Sequence, residues 1–246
     1  MCVCVPIKML LQGLHASFLI FQIFVAWEFL LKGIELRPEV AQKFGLSDEN
    51  RVVYPYLTVW NLVVHITYLV VCAAEDILVA FTDEKSLTDF KKKFGKNRAF
   101  IFETLVFPGS LLVVSAYWIL TLMDPLYLFP GPIEELIPAW INFLIHSGVG
   151  IFAVGELLFR REAWSPYHSQ RRKRIGLIIL VSYAIVILTH RYTSGSWIYP
   201  FIEYISWLQR IAIVLLFATI TVIFYHLGYH LSIIFHGATR VRSKFS

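Results

Sequence analysis

The chain has 246 residues, of which 57% are hydrophobic and only 16% charged, and its mean hydropathy is +0.65. Soluble domains carry about a quarter charged residues, so this composition argues against a soluble protein and for one that has lipid as its solvent. The net charge of +5 would also suit a nucleic-acid-binding protein. The basic residues are, however, distributed among the loops and termini of the predicted membrane spans, which argues against that function.

Six apolar stretches follow one another along the chain. A helix needs about 20 apolar residues to cross the hydrocarbon core of a bilayer, and each stretch is long enough. The stretches are Met9–Leu31, Val52–Ala74, Ala99–Met123, Leu136–Phe159, Ile175–Trp197 and Ile205–Phe235. We therefore predict an all-α polytopic membrane protein with six transmembrane helices. The short joining segments leave no room for a separate soluble domain, so residues 1–246 are predicted to form a single helical membrane domain.

The first stretch differs from a cleaved secretory signal. It is longer than the apolar region of a signal peptide and carries Glu28 near its end, so we expect it to remain as the first span. The three cysteines, Cys2, Cys4 and Cys72, do not form the spacing of a disulfide framework. The sequence leaves open whether Cys2 or Cys4 carries a lipid.

The basic residues are distributed unequally between the two sides of the predicted bundle. If the N-terminus, the second and fourth loops and the C-terminus share one side, that side holds sixteen Lys and Arg residues and the other side holds six. The positive-inside rule then places both termini in the cytosol. We interpret the basic clusters as topology signals and lipid-headgroup contacts, with no nucleic acid as partner. The sequence does not distinguish an endoplasmic reticulum or other endomembrane location from the plasma membrane.

Pro108 falls ten residues into the third stretch. A proline inside a helix removes one backbone hydrogen bond and kinks the helix. We expect a kink at this point that opens space beside the bundle axis.

A histidine lies ten residues inside the fourth stretch, and polar residues recur in the second. An imidazole in hydrocarbon is costly unless it has a partner, faces a cavity or takes part in chemistry. His146 shares a helix face with Asn142, four residues earlier, and in the second stretch Thr58, Asn61 and His65 share another. Both stretches begin on the same side of the membrane in the predicted topology, so the two polar faces can meet.

This pattern suggests a threonine nucleophile activated by a histidine. A threonine hydroxyl reacts only when a base takes its proton, and a neutral His146 within reach of Thr58 would serve as that base. Asn142 or Asn61 would orient the imidazole or donate to a developing oxyanion. The structural alternative is that Thr58 bonds to its own helix. The carboxylates lie near span ends, which favours a dyad over a triad: Glu28, Glu75, Asp76, Glu103, Glu156 and Glu203.

Two other classes of function remain open from the residues alone. His226 and His230 lie one helical turn apart and would suit a haem- or metal-binding redox protein, with His190 as a further ligand. However, no cysteine or carboxylate is spaced to complete a coordination set, and we assign no metal ligand and no cofactor. The other alternative is a transporter or scaffold without enzymatic activity, in which the buried polar groups hold the helices together.

Several short segments, in this order and spacing, resemble the androgen-induced gene family. They are Tyr56-Leu57-Thr58, Phe107-Pro108-Gly109, Ile137-Pro138-Ala139-Trp140-Ile141-Asn142 with His146, and Trp197-Ile198-Tyr199-Pro200-Phe201. The similarity extends from about Val52 to Tyr204. It implies a six-span membrane hydrolase that cleaves fatty acid esters of hydroxy fatty acids, in which Thr58 aligns with the nucleophilic threonine and His146 with the catalytic histidine. The expected partners are such a lipid substrate and the bilayer.

Overall fold

A computed structural model describes residues 4–27, 55–81, 95–128, 138–160, 164 and 169–242. These residues form six long helices, two short 3-10 helices (Pro125–Tyr127 and Pro200–Tyr204) and, within those ranges, no strand. The long helices are α1 (Cys4–Ala26), α2 (Leu57–Phe81), α3 (Gly95–Met123), α4 (Ala139–Phe159), α5 (Ser169–Ser194) and α6 (Trp207–Arg242). The predicted all-α polytopic membrane fold is thereby confirmed. Cys2 and Glu28 and the side chain of Cys4 lie outside the described part of the chain.

Five helices, α2 to α6, are long and apolar enough to cross a membrane. The apolar part of α1 among the described residues is the shorter segment Gln12–Ala26. The sixth span and the cytosolic position of both termini therefore stay predictions.

Prolines set the first residues of α2 and α4. The sequence predicted that α2 begins at Val52 and α4 at Leu136. In the structure α2 begins at Leu57, two residues after Pro55, and α4 begins at Ala139, directly after Pro138. A residue that precedes proline is driven out of the helical conformation, which explains the later start. The carbonyl of Pro138 accepts the first hydrogen bonds of α4, from the backbone N–H groups of Ile141 and Asn142.

The proline of α3 is accommodated by a π-helical turn. Residues Phe102–Val106 form this turn directly before Pro108, and the N–H of Phe107 donates to the carbonyl of Phe102, five residues back. A π-turn widens the helix by one residue per turn, which allows the chain to continue as a helix through the proline.

The helices form a buried centre and a lipid-facing periphery. Helix α3 contacts α2, α4, α5 and α6. Half of the most apolar window of α4 is buried (50%), against 6% for α5 and 11% for α6. The last two helices expose long rows of Ile, Leu and Val, which are the residues expected to face acyl chains.

Two separate groups of buried residues hold the bundle together. One lies near the ends of α2 and α4 and includes Tyr68, Phe102, Leu157 and Trp164. The other lies near their beginnings and includes Leu62, Tyr117 and Ile145. The polar site predicted from the sequence falls beside this second group.

Candidate functional site

Thr58 and His146 meet between the beginnings of α2 and α4. The Oγ1 atom of Thr58 lies 3.1 Å from Nε2 of His146. Thr58 is the second residue of α2. A threonine hydroxyl in a helix commonly donates to the carbonyl four residues before it, whereas the hydroxyl of Thr58 pairs with the histidine of a neighbouring helix.

The protonation pattern of His146 follows from its other neighbours. Its Nδ1 lies 3.1 Å from the backbone carbonyl oxygen of Asn142 and 2.7 Å from the Oδ1 of the same residue. A backbone carbonyl can only accept a hydrogen bond, so Nδ1 must carry the proton and donate it. In the neutral ring Nε2 is then an acceptor, and the Thr58 hydroxyl donates to it. This is the tautomer that a general base needs.

A π-helical turn in α4, Leu144–Gly148, carries His146. Such turns often occur at functional sites because they displace one residue from the regular helical register. Here the turn allows the imidazole to reach back to Asn142, while the ring as a whole remains 6% exposed.

Tyr117 of α3 completes the surroundings of the histidine. Its ring stacks on the imidazole, with centroids 3.7 Å apart and planes at 10°. Its hydroxyl accepts a hydrogen bond of 2.7 Å from the Nδ2 of Asn142. Asn142 therefore links the tyrosine to the histidine, which fits the orienting role considered for it, and one of its two amide N–H groups is engaged by Tyr117. Sequence reasoning missed Tyr117 because an aromatic residue in an apolar span gives no polar signal.

Asn61 and His65 do not join this group. Asn61 is buried with its Oδ1 against Gly109, where a Cβ added to the glycine would lie 3.2 Å away. His65 Nε2 lies 2.6 Å from Ser110 Oγ, and that hydroxyl donates to the carbonyl of Val106. His65 is therefore the donor in an interhelical contact. Neither Asn61 nor His65 lines the cavity beside Thr58, and the role considered for Asn61 stays a prediction.

A cavity of about 380 Å³ opens beside the pair. Its wall comes from all six helices and from the segment between α5 and α6, and most of the lining side chains are apolar. The size lies within the range of known small-molecule sites. No carboxylate of the described residues lines it; the polar lining residues besides Thr58 and His146 are Tyr56, Tyr117, Tyr183, Trp197, Tyr199, Trp207 and Arg210.

A pair of tyrosines fixes the beginning of α2 against α5. The hydroxyl of Tyr199 accepts a hydrogen bond of 3.1 Å from the backbone N–H of Leu57 and lies 2.8 Å from the hydroxyl of Tyr183. Burial raises the pKa of Tyr199, so its phenol stays neutral. These bonds hold the residue adjacent to Thr58 in place.

Two buried ionic groups lie at the other end of α4, away from the cavity. Oε1 of Glu156 accepts hydrogen bonds from the Tyr68 hydroxyl at 2.5 Å and from Arg98 at 3.0 Å, and Oε2 lies 2.8 Å from His15 Nε2. The sequence placed this carboxylate near a span end, and its side chain is 1% exposed. It connects α1, α2, α3 and α4.

The second ionic group is built on Glu103, in the π-turn of α3. Its carboxylate is paired with Arg160 at 2.9 Å and also with Arg172, and the glutamate is 0% exposed. The Arg160 guanidinium in addition lies over the Phe102 ring, 4.8 Å from its centroid. Both ionic groups are remote from the cavity lining.

Among the described residues, His226 and His230 of α6 are not joined by further metal-ligating side chains. Nε2 of His226 lies 3.4 Å from Nζ of Lys173, a cation. Within the described ranges, no group of three or more His, Cys, Asp or Glu residues is arranged to hold a metal ion. His236 belongs to the part of α6 whose side chains are not described.

The fold and the site together define a polytopic helical membrane protein with an apolar cavity and a threonine–histidine pair at its wall. The model of the FAR-17a/AIG1-like protein family matches residues 15–233, and the chain belongs to that family. It is 30% identical over 158 residues to the human Androgen-dependent TFPI-regulating protein, an alignment that covers 61% of this chain and 63% of the relative.

More distant similarity extends to a second type of relative. The human Androgen-induced gene 1 protein is 24% identical over 160 residues, which is 62% of this chain and 65% of that protein. A further relative of the first type, the Mesocricetus auratus Androgen-dependent TFPI-regulating protein, is 29% identical over 149 residues. That alignment covers 59% of this chain and 60% of the relative. The alignments thus span about three fifths of the curated relatives' length. No solved structure matches the chain.

Proposed function

We propose that the protein is a carboxylic ester hydrolase that cleaves fatty acid esters of hydroxy fatty acids within the membrane. The observation that carries the proposal is the contact of 3.1 Å between Thr58 Oγ1 and His146 Nε2 at the wall of an apolar cavity. Membership of the family supports the substrate class that the sequence resemblance implies. The mostly apolar lining of the cavity suits the acyl chains of a lipid ester.

The reaction begins with acyl transfer to the threonine. Thr58 Oγ1 attacks the ester carbonyl carbon while its proton passes to Nε2 of His146. The tetrahedral intermediate collapses, the bond to the alkoxy oxygen breaks, and Nε2–H protonates that oxygen, which releases the hydroxy fatty acid. The products of this step are an acyl-threonine ester and neutral His146.

Water completes the cycle by the same proton route. His146 Nε2 takes a proton from a water molecule as its oxygen attacks the acyl carbon, and the bond to Thr58 Oγ1 breaks. The proton returns to Thr58, and a fatty acid leaves. Throughout, Nδ1–H remains bonded to the two oxygens of Asn142, which favours the imidazolium formed in each transition state.

Turnover by purified variants tests the proposal. Thr58→Ala and His146→Ala are expected to reduce ester hydrolysis by about 10³-fold or more, since loss of a nucleophile or its base removes most of the catalysis. Thr58→Ser is expected to retain part of the activity. Thr67→Ala is the matched control, because Thr67 lies on the same helix and its hydroxyl only donates to the carbonyl of Val63.

Labelling with a fluorophosphonate probe gives a second readout. The native protein and Thr67→Ala should react with the probe, and Thr58→Ala should not. Equal labelling or equal turnover in the native and Thr58→Ala proteins would exclude Thr58 as the nucleophile.

A further inference from the structure

One cation stands at the wall of the otherwise uncharged cavity. Arg210, in the first turn of α6, is the one Lys, Arg, Asp or Glu residue among the cavity-lining residues of the described chain. The lining otherwise consists of aliphatic and aromatic side chains with the few hydroxyl and imidazole groups named above. A single positive charge beside a long apolar cavity is the arrangement that suits an amphiphile with one anionic group.

The guanidinium of Arg210 is held in a fixed position. It lies over two indole rings, 4.5 Å from the Trp197 centroid and 4.7 Å from the Trp207 centroid. Its Nε and Nη2 donate to the carbonyl of Ile202 at 3.2 and 2.9 Å. A guanidinium has five N–H groups, so these contacts orient the group and still leave N–H donors for a ligand.

Within the described part of the chain, no carboxylate balances the charge of Arg210. Among the described residues no carboxylate forms an ion pair with it, whereas Arg191, which also lies over Trp197, is paired with Glu203 at 3.8 Å. A cation in the first turn of a helix is in addition opposed by the helix dipole. The guanidinium is thus held by aromatic rings and a backbone carbonyl, with no carboxylate of the described residues paired with it.

We propose that Arg210 binds the free carboxylate of a long-chain acid whose chain lies in the cavity. Arginine recognises a carboxylate through two parallel N–H bonds, in which the charge strengthens each bond. This inference rests on the proposed function where the acid is the substrate. In that case Arg210 binds the carboxylate of the substrate while the ester group of the same molecule reaches Thr58. Arg210 is then a specificity-determining residue that selects acids over neutral lipids.

Binding of a fluorescent acid tests the inference without hydrolysis. The probes are cis-parinaric acid and the alcohol of the same chain, since neither contains an ester. The native protein is expected to bind the acid at least about tenfold more tightly than the alcohol, the effect of a charge-assisted hydrogen bond. Arg210→Gln should bind both probes equally, and its retained affinity for the alcohol shows that the cavity is intact. Arg210→Lys should keep part of the preference.

Arg191→Gln serves as the matched control because it removes a neighbouring cation on the same indole ring that does not line the cavity. It should preserve the preference for the acid. A native protein that binds acid and alcohol alike, or an Arg210→Gln variant that still prefers the acid, would overturn the assignment. Failure of the hydrolase proposal is seen separately, as ester turnover that does not depend on Thr58.

Discussion

The Thr58–His146 contact is explained at the scale of single residues by where each lies in its helix. Thr58 is the second residue of α2, and its hydroxyl pairs with His146 of α4. His146 is aimed by the π-turn and by the oxygens of Asn142. His146 could be singled out from the sequence because an imidazole is unusual in an apolar span, whereas Thr58 was singled out chiefly by the family resemblance. Tyr117 could not be singled out, because its stacking on His146 depends on the arrangement of α3.

The Asn142 side chain is expected to act on catalysis through the orientation of His146. In Asn142→Ala the backbone carbonyl of residue 142 still accepts from Nδ1–H, so the tautomer persists but the ring loses its second acceptor. We expect kcat/KM to fall about tenfold, in line with the loss of one buried hydrogen bond. Ester turnover measured beside thermal unfolding checks this.

Tyr117→Phe is the companion to that variant, because it keeps the ring that stacks on His146 and removes only the hydroxyl that Asn142 contacts. Its effect on kcat/KM should be no larger than that of Asn142→Ala. An Asn142→Ala protein with native kcat/KM would show that the side chain does not position the base.

At the scale of the helices, the sequence predicted the elements better than their internal geometry. Apolar length located all six helices, while the starts of α2 and α4 followed the prolines. A π-turn that the sequence did not predict precedes Pro108, while the kink expected at this proline stays a prediction. A π-turn depends on the contacts of the neighbouring helices, which local sequence does not encode. For His226 and His230, the helical spacing suggested a pair of metal ligands. Spacing along one helix does not determine which side chains of other helices lie beside the two imidazoles.

Close approach of α6 to the bundle is predicted to depend on Gly228. A Cβ at this position would lie 2.4 Å from the ring of Trp164 and 2.8 Å from that of Phe107. Since both rings are buried, Gly228→Ala should destabilise the protein by about 1–3 kcal/mol, the usual cost of overpacking. Thermal unfolding in detergent measures this.

Gly155 provides the control within the same bundle. A Cβ there meets no atom within 4 Å, so Gly155→Ala should leave the stability unchanged or raise it slightly, since alanine favours the helix. Equal melting temperatures of Gly228→Ala and Gly155→Ala would mean that α6 is not packed against Trp164 as described.

At the scale of the whole molecule, the bundle separates its reactive site from its ionic contacts. His146 and Glu156 are ten residues apart on α4, about 15 Å along the helix. The cavity lies near the beginnings of α2 and α4, and the buried ion pairs lie near their ends. The sequence could place these carboxylates near span ends, but their burial depends on partners from distant segments, such as His15 and Arg98.

This separation predicts that Glu156 supports the fold of the bundle and takes no part in the reaction. Glu156→Gln removes the closer carboxylate partner of Arg98, at 3.0 Å, and leaves Glu75 at 3.6 Å. Removal of one member of a buried pair costs about 3–5 kcal/mol, and the remaining pair with Glu75 places the expected loss at the lower end. Glu203→Gln is the control, because Glu203 is 56% exposed and its pair with Arg191 spans 3.8 Å; exposed pairs contribute about 0–1 kcal/mol. Glu156→Gln should therefore melt well below the control, yet label with a fluorophosphonate normally at temperatures where it remains folded. Loss of labelling in folded Glu156→Gln protein would instead show that Glu156 contributes to the reactivity of the site.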